Sequence, residues 1–475
     1  MRSAISTAVV ACLVLAGCAT ARKADVRLPA AYEAPANAAP AGALALDRWW
    51  LNFNDPQLTG LIDQALANNP DAKSAAARLK EARAVRVSAL TQFLPQGDAT
   101  GSTRKTTTEQ LSGTVANIPG FSTSGSSESS AANLNVSWEV DLFGRIFAAG
   151  KAVGGDVAAA QFDYEGTRAS LAAQVADAYF LGRGLEIQLA DQRETARIQR
   201  SLYDVTTKRA QVGIAATSDA DRVAGDLAQA DAQIATLEGE IQVQKRLLLV
   251  LAGRMVEPTA NITINPLTGA LPVVPVGLPG DLLARRPDVR EAKARIDSQL
   301  GRSQGAWLAI LPTILFTPGI GWSKIEQPGF SSTSQSHTIG GQITQPVFSI
   351  PRIVADAMAQ DARTEQAVIA YEKAVQTAFS DSEGALVRLD ADRRRVGILV
   401  DGEARARRAF EASRLGYDRG LTDLQTTLSI EQSWRQTRTQ LTSAQVQALR
   451  GTVTAYKALG GGWPAERYIT QAQAR

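Results

Sequence analysis

The sequence predicts an α+β membrane protein in which a helix, a β-hairpin and a long helical hairpin occur twice along the chain. One observation behind this prediction is an internal repeat that keeps its register over most of the 475 residues. Another is the change of apolar spacing inside each copy, from that of a helix to that of a strand. Three of the four expected strands have one apolar face, as do strands that face lipid.

The second half of the chain repeats the first half. Residues 61–84 align with residues 278–301 at an offset of 217, and four later pairs align at an offset of 207. These pairs are Arg145 with Arg352, Tyr164 with Tyr371, Gly213 with Gly420, and Gly253 with Gly460. The alignment predicts repeat 1 at 61–264, a Pro-rich linker at 265–280, repeat 2 at 281–462 and a C-terminal tail at 463–475.

The start of the chain has the pattern of a bacterial lipoprotein signal peptide. Arg2 precedes an apolar run of secretory length, and Leu15-Ala16-Gly17 precedes Cys18. We expect removal of residues 1–17, lipidation of Cys18 (a palmitate-type anchor) and, because Ala19 follows, delivery to the outer membrane. Residues 18–60 then form the lipid anchor and an N-terminal extended segment. The alternative is an ordinary signal peptide that contains an incidental cysteine.

Each copy begins with a helix that has proline in its first turn and ends before Pro95 or Pro312. Strands follow, with apolar residues at every second position over 133–140, 314–322 and 339–347. The Thr-rich segment around 98–108 is predicted as a strand because the repeat requires one. The hairpins therefore lie at about 98–142 and 313–348, and the Ser/Gly-rich segments 121–130 and 323–336 are predicted as exposed loops.

Four strands are too few to close a barrel, since the smallest membrane barrels need about eight. A sheet with open edges cannot span lipid, because its edge N–H and C=O groups have no partners there. If these strands are in the membrane, several chains must build one barrel together. The alternative is that they are edge pieces of a soluble sandwich.

Two proline-free segments, at about 148–209 and 354–416, predict helices roughly 90 Å long. Their apolar and small residues follow coiled-coil spacing, and the small residues favour close helix packing. Each helix breaks at 211–219 or 418–425 and turns back into a second helix that ends near Leu251 or Leu459. We interpret Gly213 and Gly420 as helix-capping residues of these turns.

Several function classes are disfavoured by the composition. The net charge is only +3 with both signs interspersed, so we expect no nucleic-acid partner. His337 is the single histidine, which disfavours histidine-based metal sites and triads, and the common nucleotide-binding and hydrolase motifs are absent. The chain is therefore predicted not to be an enzyme and to use neither a cofactor nor a metal ion.

Four segments carry a resemblance to a known family: "RWWLNFNDPQLTGLIDQALANNPD", "WEVDLFGRI", "LLARRPDVREAKARI" and "AYKALGGGW". With the cysteine pattern at the start, the chain resembles the TolC-like outer-membrane factors, in particular the lipoprotein branch (OprM/NodT type) that serves RND efflux pumps. The resemblance covers roughly residues 46–463. It implies a homotrimer whose four strands per chain form one 12-stranded outer-membrane β-barrel, continued into the periplasm by a long α-helical barrel.

The resemblance also implies a function. The trimer is expected to pass small molecules, such as drugs or toxic compounds, from a periplasmic adaptor protein and an inner-membrane RND transporter to the exterior. The alternatives are another exporter (type I secretion or metal efflux) and a lipid-tethered periplasmic scaffold without a pore. Apart from these proteins, the only expected partner is outer-membrane lipid.

By position in the family, the gate or the adaptor-docking surface lies at the turns of the helical hairpins. The candidates are Tyr417, Arg419, Asp423, Leu424 and Gln425 at the second turn and Asp219 at the first. Ser429 stands where related channels usually have an aspartate, which puts a cation-sensitive gate of the usual type in doubt. The alternative interpretation is that all of these are ordinary solvated turn residues.

Overall fold

The computed structural model of the chain describes residues 24–34, 46–109, 111, 125–214, 216–266, 271–275 and 277–464, without the side chain of Leu282. The predicted signal peptide at 1–17 and the lipidation site Cys18 lie outside the described residues. Most of the predicted tail at 463–475 also lies outside them.

The helices and strands follow one order twice, as the repeat predicts. The first copy consists of α1 (Pro56–Asn68), α2 (Pro70–Thr91), β1 (Gln96–Thr108), β2 (Gly125–Glu139), α3 (Arg145–Gln211) and α4 (Thr217–Leu251). The second consists of α5 (Leu282–Arg285), α6 (Pro287–Leu308), β3 (Thr313–Gln327), β4 (Phe330–Thr344), α7 (Ile350–Asp418) and α8 (Leu424–Ala458). The prolines that open α2 and α6 and the two long helices are confirmed.

The chain divides into two compact units. One contains the four strands and includes Lys80–Ala159 and Lys293–Ala370. The other includes Asp25–Leu79, Ala160–Ala292 and Tyr371–Arg475, and it holds the turns of both helical hairpins. None of the helices that the structure describes is long and apolar enough to cross a bilayer.

The strands form one antiparallel sheet in the order β1-β2-β3-β4, and they are longer than predicted. The prediction of loops was wrong for 125–130, which belongs to β2, and for 323–336, where only the turn at Pro328-Gly329 separates β3 from β4. Gly329 has φ +82°, the left-handed region that such a tight turn requires. Polar residues occupy both faces in these extensions, so no apolar alternation marks them as strand.

The strand register places most of the apolar residues on one face and mainly small or polar residues on the other. Leu134 pairs with Ile320, Trp138 with Phe316, and Ile314 with Ile343, which puts all six on the same face. On the opposite face Asn135 pairs with Gly319, and Gly319 pairs with Thr338. The apolar face is open to its surroundings, since Ile343 is 71% exposed and Ile320 is 51% exposed.

Asp141 determines how the chain passes from β2 into α3. Its carboxylate accepts hydrogen bonds from four backbone N–H groups, those of Phe143, Gly144, Arg145 and Ile146, at 2.8–3.2 Å. Burial would raise the pKa of Asp141, but these four donors outweigh it and the pKa is lowered. The "WEVDLFGRI" segment is therefore a helix-capping motif.

In the unit that holds the helical hairpins, the core forms around two tryptophans. Trp49 and Trp50 are buried, and Trp49 stacks on Tyr456 with the ring centroids 5.6 Å apart. Trp463 is also buried and donates from Nε1 to the Arg285 carbonyl at 2.8 Å, so it belongs to the core and not to a tail.

The expectation of an extended segment up to residue 60 was also wrong. Trp49–Phe53 is a 3-10 helix and α1 starts at Pro56. Asp55 caps α1 by accepting from the N–H groups of Gln57 and Leu58, and the fixed φ of proline suits the first helical position.

Small residues allow close helix packing in the unit that contains the strands. A Cβ atom on Gly155 of α3 would lie 2.5 Å from the backbone N of Ser298 of α6, which is inside van der Waals contact. This agrees with the small-residue seam that the sequence predicts.

We predict that Asp141→Ala lowers the free energy of unfolding by about 1–2 kcal/mol, as expected for loss of a helix cap. Thermal loss of helical circular dichroism in detergent measures the effect. Asp141→Asn should recover only part of the stability, because its Oδ1 can still accept from Phe143, Gly144 and Arg145 but its NH2 group cannot accept from the Ile146 N–H. Since the folded-state pKa is lowered, the contribution is present above the pKa of an unfolded aspartate and is lost as pH falls through the folded-state pKa.

Asp356→Ala is the matched control, because Asp356 is exposed and pairs only with Arg352 on its own helix. An equal loss of stability in both alanine variants would contradict the capping role.

Candidate functional site: the turns of the two helical hairpins

The two turns between the long helices are closed by the same backbone geometry. Gly213 has φ +76° and Gly420 has φ +74°. The Ile214 N–H donates to the Arg209 carbonyl, and the Leu421 N–H donates to the Gly416 carbonyl, each at 2.8 Å. This pattern is a Schellman cap, in which a left-handed residue ends the helix. Both glycines occupy the positions for which the sequence predicts caps.

Asp423 caps the start of α8. Its Oδ1 accepts from the Thr426 N–H at 2.8 Å, and its Oδ2 accepts from the Thr426 hydroxyl at 2.7 Å. The hydrogen bond from the Thr426 side chain, together with the backbone donors, lowers the pKa of Asp423. The carboxylate is therefore held by its own helix while remaining exposed at the turn.

Tyr417 is buried and does not face solvent, unlike an ordinary turn residue. Only 5% of it is exposed, and the guanidinium carbon of Arg209 lies 4.9 Å from its ring centroid. A cation over an aromatic ring stabilises the contact by about 0.5–2 kcal/mol. Since Arg209 is in α3 and Tyr417 is in α7, this pair connects the two hairpins next to their turns.

The other predicted residues are distributed around the turns. Arg419, Gln425 and Ser429 are exposed, and Leu424 is half-buried in the first turn of α8. Asp219 is half-buried in the first turn of α4, where its N–H donates to the Ala216 carbonyl at 3.1 Å. The exposed residues are thus available to contact another molecule, whereas Tyr417 and the glycines shape the turns.

An aromatic cluster that the sequence analysis missed lies beside the second turn. Phe410 of α7 stacks on Trp434 of α8 with centroids 5.0 Å apart, and Ile198 of α3 packs against both. The indole N–H of Trp434 donates to Glu403 at 2.9 Å. The cluster packs three helices of two hairpins together.

A buried polar contact was also missed. Glu431 of α8 and Gln199 of α3 are both 0% exposed, and the Gln199 amide nitrogen donates to Glu431 Oε2 at 3.1 Å. Burial raises the pKa of Glu431. Leu428, Glu431 and Trp434 follow seam spacing and are all buried, so a charged residue in a seam was the available signal.

Within the part of the chain that the structure describes, no group of three or more His, Cys, Asp or Glu residues could hold a metal ion. The turns combine exposed polar residues with three contacts between the hairpins, which involve Tyr417, the aromatic cluster and Glu431. Such an arrangement can hold two helical hairpins together or let them separate.

Comparisons with known proteins agree in family and in fold. The family model described as "Outer membrane efflux protein" matches residues 61–254 and 278–461. The chain is 30% identical to the pyoverdine export outer membrane protein OpmQ of Pseudomonas putida, over 92% of this chain and 93% of that protein. It is 27% identical to the cation efflux system protein CusC of Escherichia coli, over 87% and 88%. The solved structure of the outer-membrane channel OprN matches with a TM-score of 0.80 at 26% identity, over 94% of this chain and 100% of that one.

We predict that Asp423→Ala increases backbone hydrogen exchange at Thr426 by roughly fivefold, because the first turn of α8 loses its cap. Asp423→Asn should leave exchange near the wild-type rate. Exchange measured by mass spectrometry on peptides of the second turn tests this, with the first turn as the internal reference. Unchanged exchange in Asp423→Ala would show that the cap does not hold the turn.

Proposed function

The chain belongs to the outer membrane efflux protein family, and from this premise we propose that it is the gated exit channel of a tripartite pump. Family membership places it in the outer membrane as a channel component of an efflux system. The proposal adds a periplasmic adaptor, an inner-membrane RND-type transporter that supplies the energy, and a gate at the hairpin turns.

The observation that carries the proposal is the sheet, which has an apolar face, a polar face and two open edges. The apolar face suits lipid and the polar face suits an aqueous lumen. Open edges in lipid require strands from other copies. Three chains would supply 12 strands, enough to close a barrel around a water-filled path.

The exposed residues of the turns support a docking role. Arg419 and Gln425 offer charged and hydrogen-bonding groups at the second turn, where an adaptor can bind without displacing buried side chains. Lipidation of Cys18 would add a second attachment to the membrane. Neither attachment needs the buried residues of the turns, which leaves those residues free for gating.

Small organic molecules, drugs or toxic compounds among them, are the proposed cargo. One relative is named for pyoverdine export and another for cation efflux, so members of this family differ in what they carry. A metal-efflux or type I secretion partner is the competing candidate. Uptake and accumulation assays in cells that lack the chain distinguish these cargo classes.

Native mass spectrometry of the protein extracted from outer membranes tests the assembly. The expected species contains three chains, each without residues 1–17 and with lipid mass on Cys18. A lipidated monomer would leave the sheet unable to close and would favour the tethered scaffold.

We predict that Ser429→Asp increases cation selectivity, or block by divalent cations, in planar bilayer recordings. Three carboxylates around a constriction attract cations, whereas three serine hydroxyls do so weakly. Ser218→Asp, which places the same charge at the exposed first turn, is the matched control and should behave as wild type. Unchanged conductance and selectivity in Ser429→Asp would exclude Ser429 from the constriction.

A further inference from the structure

The buried contact between Glu431 and Gln199 joins the two helical hairpins through polar groups alone. Each side chain is 0% exposed, and one hydrogen bond of 3.1 Å connects them. An ionised carboxylate in such a position is costly unless its oxygens are fully paired. The polar atoms of this contact that lack a hydrogen-bond partner therefore indicate which protonation state the site accommodates.

Three polar atoms at this contact have no hydrogen-bond partner among the described residues: Gln199 Oε1, Glu431 Oε1 and Arg435 Nε. The first is always an acceptor, and the second is an acceptor while Glu431 is ionised. A proton on Glu431 Oε1 supplies the missing donor for Gln199 Oε1. The neutral carboxyl and the carboxamide then form two hydrogen bonds across the seam between α3 and α8.

The ionised form has a different partner. Arg435 Nε lies 3.7 Å from Glu431 Oε1, within ion-pair range but beyond hydrogen-bond range. A small side-chain movement would bring the two into a charge-assisted hydrogen bond within α8. Glu431 therefore has a neutral arrangement with two hydrogen bonds between the hairpins, and an ionised one in which Oε1 pairs within α8 and only Oε2 still accepts from Gln199.

We propose that Glu431 is a proton-operated latch of the gate. When neutral, it fastens α8 to α3 and holds the hairpin turns together. When ionised, its Oε1 pairs with Arg435, so only the hydrogen bond from Gln199 to Oε2 still crosses the seam and the hold of α8 on α3 is weakened. The inference rests on the proposed function, because it assigns to this contact the control of a gate at the turns.

The charged groups around Glu431 set the direction of the pH response. Burial raises its pKa and Asp226 of α4 adds to this, whereas Arg435 of α8 and Arg414 of α7 lower it, with burial prevailing. Gln199 of α3 is uncharged. Because the folded-state pKa is raised, the latch is fastened below that pKa and is released as the pH rises through it.

Single-channel recording of the full-length lipidated protein in planar bilayers tests the latch. Across a pH titration from acidic to alkaline buffer, open probability of the wild type should rise about tenfold as the pH passes the raised folded-state pKa of Glu431. Glu431→Gln should stay at the low open probability throughout this range. Its carboxamide matches the neutral carboxyl in shape and donates to Gln199 in the same way.

Two further variants separate the latch from general charge effects. Arg435→Gln removes the partner of the ionised form, so the pH response should move to higher pH. Glu411→Gln neutralises an exposed carboxylate of α7 that pairs with Arg407 of the same helix. This control should keep the wild-type response.

A wild-type open probability that is independent of pH, or a normal pH response in Glu431→Gln, would overturn the latch while leaving the channel intact. If no variant conducts, the proposed function fails instead. The infrared carbonyl band of a neutral buried carboxyl then decides the latch on its own. It should be present in the wild type at low pH and missing in Glu431→Gln, and its absence from the wild type would overturn the inference.

Discussion

The unpaired backbone at the outer edges of the sheet is the constraint on which the rest of the structure depends. β1 and β4 are the first and last strands of a four-stranded sheet, and each has one neighbour in it. In hydrocarbon, an N–H or C=O group without a partner costs several kcal/mol. One chain cannot remove this cost, because four strands are too few to close. Association is therefore a consequence of backbone chemistry, and the proposed gate on the helices would act in several copies at once.

Helix ends determine where the candidate functional residues lie. Asp141 fixes the start of α3 with four backbone hydrogen bonds, and Gly213 ends that helix after 67 residues. At the second turn, Gly420 ends α7 and Asp423 caps the start of α8. The long helices contain many small and polar residues along their length. The positions of the turns therefore depend on these caps and on the seam contacts.

Much of the architecture could be predicted from the sequence because its signals are local or repeated. Proline-free segments predicted α3 and α7, and the repeat predicted β1 although its own residues are polar. The extensions of β2, β3 and β4 escaped prediction because strands outside an apolar environment need no alternation. In the candidate site, Gly213 and Gly420 were predictable from their turn chemistry. The contact of Glu431 was not, because its partner Gln199 is 232 residues away and nothing in the sequence pairs them.

The internal repeat does not reproduce the Glu431 contact in the other copy. At the offset of 207, Gln199 corresponds to Ala406 and Glu431 corresponds to Ala224. The two alanines do not form such a contact, and Ala406 instead packs against the cluster of Ile198, Phe410 and Trp434 in the same chain. The duplication therefore supplies two similar helical hairpins, and divergence at two positions leaves a buried carboxyl–carboxamide contact in only one of the two equivalent arrangements.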